Sequence, residues 1–101
     1  MAAFYLCRMT TTASPVPFLS PAEGRLLFAL LDAADDQGLL VGTPCQGPWL
    51  VTRRQLIATN YHEAASAWGL LVELEHCGAL NGSWIQRRWR SVKARIEQNG
   101  A

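Results

Sequence analysis

The side chains best equipped for chemistry are two histidines, three cysteines, an acidic group and a tryptophan–arginine segment. Cys45, in Thr43-Pro44-Cys45-Gln46-Gly47, could be a nucleophile, but a nucleophile needs a base within reach. The only imidazoles are His62 and His76, and nothing in the spacing brings either beside it. No catalytic residue is assigned and no enzyme is expected. Cys7, Cys45 and Cys77 are odd in number, far apart and free of CxxC or Cys/His ligand spacing. Neither a zinc site nor a disulfide framework is expected, and a reducing cytoplasm fits better. Asp32, Asp35 and Asp36 could hold Mg²⁺ weakly, but a solvated acidic face is the simpler reading. His76-Cys77 reads as a helix end, where a histidine near the negative pole of the helix is favourable. No metal and no cofactor are expected.

The remaining chemistry is that of binding. The chain is 50% hydrophobic and 17% charged, with a net charge of only +1. That excludes a wholly disordered chain and any global pull toward polyanions. The distribution is uneven. Residues 1–50 hold Arg8 and Arg25 against Glu23, Asp32, Asp35 and Asp36. Residues 51–101 hold seven bases, five of them between Arg87 and Arg95. A basic end on a neutral body points to a local anionic contact. Within it, Trp84-Ile85-Gln86-Arg87-Arg88-Trp89-Arg90 mixes rings with guanidinium groups. Such a surface can stack bases and hold phosphates. It can equally be a protein hot spot, where Trp and Arg are enriched. The bland alternative makes Trp84 and Trp89 core anchors, since Trp89, Val92 and Ile96 share helical spacing.

The elements that would position these residues can be read along the chain. Residues 1–19 look like a flexible or arm-like segment, with Pro15 and Pro17 close together. Ser20, Pro21 and Glu23 form a capping box at a helix start. Leu26, Leu27, Leu30, Leu31 and Ala34 then share one face, and Gly38 stops the helix. Gly42, Pro44, Gly47 and Pro48 break regular structure, and Trp49-Leu50-Val51 reads as a brief strand. Thr52 with Gln55 opens a short second helix. Asn60 with Glu63 caps a third, running to about Cys77. Its buried face is read as Tyr61, Ala64, Ala65, Trp68, Leu71 and Val72, with Leu74 at the margin. Asn81-Gly82 between short apolar pieces is a hairpin signal. A last strand near 83–88 and a basic helix from about 89 to 98 complete the order. No internal repeat is expected, no apolar run is long enough to span a bilayer, and no signal-peptide leader is read.

This order, with the segment Leu70-Leu71-Val72-Glu73-Leu74-Glu75-His76-Cys77-Gly78-Ala79-Leu80, resembles the winged helix-turn-helix domains of bacterial and phage regulators and replication-accessory proteins. Residues 19–38 resemble the first helix of phage proteins of that fold. The resemblance implies a single domain over residues 20–98, mainly α with a small antiparallel β wing. It also implies double-stranded DNA as partner, with the third helix in the major groove and the wing on the backbone or minor groove. The contacts then expected are Arg53, Arg54, Arg87, Arg88, Arg90 and Lys93 on phosphate, His62 and Ser66 nearest the bases, and Gln86 on the wing. The alternative is a small inhibitor or adaptor, anti-CRISPR-like in size, that blocks a host protein complex through Trp84, Trp89 and the same arginines. A homodimer through residues 1–19 or 89–98 is compatible with either.

Overall fold

The computed structural model describes residues 18–59 and 64–99, apart from the side chains of residues 56–59 and 99. Four helices succeed one another: α1 (Pro21–Asp36), α2 (Gln46–Thr59), α3 (Ala64–His76) and α4 (Trp84–Asn99).

α1 starts where its capping residues direct. The Ser20 hydroxyl accepts from the Glu23 N–H at 3.2 Å, and the Glu23 carboxylate accepts from the Ser20 N–H at 3.0 Å. Two of the orphan donors at the helix start are thereby satisfied. Leu27, Leu30, Leu31 and Ala34 point into the core.

No strand or sheet occurs among the described residues, so the winged helix-turn-helix expectation is corrected to an all-helical fold without a wing. Two segments account for the difference. Trp49-Leu50-Val51 is not a strand but part of α2, and Thr52 lies inside that helix and does not cap it. Gly47 and Pro48 do not break α2 because they fall in its first turn. Proline is tolerated there, since its missing N–H would have no intrahelical partner. Helix formation also buries Trp49, which packs on Phe28 with ring centroids 4.7 Å apart.

The second segment is Asn81-Gly82. Gly82 does take a left-handed conformation, with φ at 79°. It leads into a helix cap, not a returning strand. The Ser83 hydroxyl accepts from the Gln86 N–H at 3.1 Å and donates to the Leu80 carbonyl at 2.6 Å. α4 therefore begins at Trp84, several residues before the expected 89, and residues 83–88 form no strand. Ile85, Trp89, Val92 and Ile96 form its buried stripe, which only a helix starting this early could align.

The core is closed by α1 against α3, with α4 packed across α1. On α3 the buried face is Ala67, Trp68, Leu71 and Leu74. Leu74, expected at the margin, is fully buried, and Ala65, expected inside, is exposed. The expected cap at Asn60 and the contact of Tyr61 lie outside the described residues. Trp68 meets Trp89 edge-on at 5.2 Å.

The α1–α2 loop and the α3–α4 loop share one hydrogen bond. The Gly42 N–H donates to the Gln46 side-chain carbonyl at 3.2 Å, and the Gly82 N–H donates to that of Gln86 at 3.2 Å.

Candidate functional site

α4 carries Arg87, Arg88, Arg90, Lys93 and Arg95 against a single carboxylate, Glu97. Its buried stripe fixes the helix's rotation, and that rotation turns all four arginines to solvent. Trp84 starts the same helix half-exposed, at 49%. Going around the helix at its 3.6-residue turn, Trp84, Arg88, Ser91 and Arg95 lie along one flank. Arg88 and Arg95 stand two turns apart, about 10.5 Å at 1.5 Å per residue. With Leu26 of α1 and Ser91, Val92 and Gln98, they line a shallow open groove that contains no carboxylate.

The cations of this region divide into two kinds. Lys93 is 2.9 Å from a Glu75 oxygen and lies 5.8 Å over the Trp89 ring, so its charge is used within the fold. Arg90 only approaches Glu75, at 4.0 Å, with its side chain 67% exposed. Arg87, Arg88 and Arg95 make no ion pair among the described residues.

The residues singled out from sequence are therefore scattered. Arg53, expected on phosphate, is 3.0 Å from Asp32 and 2.8 Å from Asp35. It pins α2 to α1, and the acidic group of α1 is partly neutralised by it. Arg54 is exposed on α2. His62 lies outside the described residues. Ser66 is half-buried on α3 and already engaged within the protein. The outward positions of α3, Gly69 and Glu73, carry no cation. Gln86 is a loop clamp, bonded to the Gly82 N–H and to the Asn81 side chain. Trp89 is wholly buried, so it is a core anchor and corrects its expected place on a binding surface. Trp84, Arg87, Arg88 and Arg90 remain together on α4.

Compared with protein-family models, curated proteins and solved structures, the chain matches none. The surface must be judged on its own chemistry.

Catalysis finds no support at the one candidate nucleophile. Cys45 is not a loop thiol open to solvent but a buried side chain, donating to the Leu70 carbonyl at 3.6 Å. Burial, with the nearby Cys77 and Glu73, pushes its thiol up to about 12, which suppresses the reactive thiolate. Among the described residues no group of histidine, cysteine or acidic side chains could hold a metal ion. None of the described helices is long and apolar enough to cross a membrane. Sequence reasoning missed the participation of Arg95 and Leu26. The 84–88–91–95 spacing was visible, but only an α4 beginning at Trp84 puts those residues on one flank.

Proposed function

We propose that the protein is a non-catalytic binding module that holds the phosphate backbone of double-stranded DNA along α4. The observation that carries this reading is the trio Arg87, Arg88 and Arg95, exposed on one helix and unpaired by any carboxylate among the described residues. Guanidinium groups are suited to phosphate, since their fork of donors matches its oxygens. Arg90, two residues after Arg88, turns to the opposite flank of α4, toward Glu75, and takes no part in this contact. Backbone contact of this kind is independent of base sequence. It uses neither a wing nor a recognition helix.

The test is a fluorescence titration with mixed-sequence duplex. Trp84 serves as the reporter, because Trp49, Trp68 and Trp89 are buried. Three phosphate contacts imply an affinity loss of about 40-fold between 50 and 200 mM salt. The Arg87→Ala/Arg88→Ala/Arg95→Ala variant is expected to lose binding, and Arg53→Ala to keep it. Absence of binding at 50 mM salt sinks the proposal.

The second reading, a protein partner, is favoured by the half-exposed Trp84 beside Arg87 and Arg88. A partner anchored there would be lost with Trp84→Ala and depend much less on salt.

A further inference from the structure

We infer that the chain is a fused dimer: one helix–loop–helix unit occurs twice, and the two units are paired about an approximate twofold axis. Matching each residue with the one 40 positions later gives Gly38/Gly78, Leu40/Leu80, Gly42/Gly82, Gln46/Gln86 and Trp49/Trp89. In the preceding helices, Leu30-Leu31 falls on Leu70-Leu71, and Phe28 falls on Trp68. The register needs no gap from Gly24/Ala64 to Arg53/Lys93.

The structure repeats at the same spacing. Leu27, Leu31 and Ala34 of α1 are fully buried, and so are Ala67, Leu71 and Leu74 of α3. Leu40, Cys45 and Trp49 are buried as Leu80, Ile85 and Trp89 are. The Thr43 hydroxyl donates to the Leu40 carbonyl at 2.8 Å, as the Ser83 hydroxyl does to Leu80. Phe28 packs on Trp49 as Trp68 packs on Trp89. Arg53 bridges to Asp35, and Lys93 bridges to Glu75. Neither the Trp49 nor the Trp89 indole N–H finds a partner among the described residues. Local propensity does not place an ion pair spanning 18 residues at the same two positions of two units. A shared three-dimensional plan does.

The pairing has the character of an isologous interface, in which one surface patch meets its own equivalent. Gly24 abuts Ala64, its own counterpart. Each unit also reaches across to the other's first helix. α4 packs on α1, and Cys45, at the entry to α2, bonds to the Leu70 carbonyl of α3. Units stacked in a row would leave α1 and α4 apart. The interaction surface of each hairpin is thus the buried face of its first helix, and its partner is a copy of the same hairpin.

Equivalence also sorts the residues. What the units share lies in the core, the loop clamp and the bridge to the first helix. The exposed residues have diverged: Gly47, Pro48 and Leu50 stand where α4 has Arg87, Arg88 and Arg90.

Two full-length variants test the inference through folding alone, independently of DNA binding. In the first, the segments Gly38–Trp49 and Gly78–Trp89 are exchanged. Each then meets the contacts of its equivalent, and a cooperative melt with a midpoint within about 10 °C of the parent is expected, a loss of no more than a few kcal/mol. The same exchange made two residues out of register is the control, expected to lose cooperativity. In the second, the hairpins are transposed, with residues 64–99 preceding 20–59 and the segment 60–63 joining them. Twofold pairing makes the two connections interchangeable, so a folded monomer is expected. Loss of the cooperative melt in the in-register exchange overturns the repeat. An unfolded or aggregated transposed chain, with the exchange intact, overturns the twofold pairing.

Discussion

Gly24 faces Ala64 so closely that a Cβ on Gly24 would lie 2.9 Å from the Ala64 Cβ. The contact sits where α1 meets α3, and it sets how near the two hairpins come.

Gly24→Ala tests that closeness. In an open helix the change would stabilise by about 1 kcal/mol. Here the methyl meets a Cβ fixed to the opposite backbone, and overpacking of this kind costs about 1–3 kcal/mol. Net destabilisation of about 1 kcal/mol is expected in urea unfolding, taking both effects together. Ala64→Gly added to Gly24→Ala should relieve the clash, with a coupling of at least about 0.5 kcal/mol in a double-mutant cycle. A more stable Gly24→Ala protein would show that the helices are not in contact there.

Gly42 and Gly82 test the likeness of the loops. Their φ angles are 78° and 79°, and a Cβ at either would meet nothing within 4 Å. Substitution by alanine therefore costs backbone strain alone, about 1–2 kcal/mol. Equal losses at the two positions are expected from denaturant midpoints. A loss at one and none at the other would mean that the loops are not equivalent.

The two bridges between helices are partly exposed and should be modest. Arg53→Ala is expected to cost about 0.5–1 kcal/mol, with much of the difference disappearing in 1 M salt. Lys93→Ala should cost slightly more, because the ammonium also lies over Trp89. Thermal melts at low and high salt measure both.

Cys45 and Cys77 should differ in reactivity. Cys77 is exposed and Cys45 buried. In a Cys7→Ser background, a thiol reagent at pH 8 is expected to modify Cys77 rapidly and Cys45 only on unfolding. The raised Cys45 value also has a consequence for stability. The folded protein keeps the proton that the unfolded chain releases near its ordinary 9.0. Stability is therefore complete below pH 9 and declines as the pH rises toward about 12. Cys45→Ala should flatten that decline in denaturant midpoints measured from pH 8 to 11. An unchanged slope would show that the thiol does not contribute.

Much of the architecture is written in local sequence. The capping box of Ser20 and Glu23 starts α1, and the 3.6-residue rhythm of Leu27, Leu31 and Ala34 supplies its core face, because caps and periodicity act within a turn or two. The basic segment of α4 is likewise plain from composition. Other features depended on partners distant in the chain. Trp49-Leu50-Val51 became helix because Trp49 finds Phe28. Asn81-Gly82 turned into a helix cap because Ser83 caps α4 while Ile85 and Trp89 enter the core. Arg53 reads as a free cation until α1 places two carboxylates beside it, and Trp84 and Trp89 read alike until packing covers Trp89 and leaves Trp84 half-exposed. The repeat shows the division most clearly. Its identities are in the sequence, but too sparse to stand out until burial and hydrogen bonds align the two halves. Local chemistry fixes where helices start and which stripe is apolar. Which stripes meet, and which charges are left unpaired, is decided by packing in three dimensions.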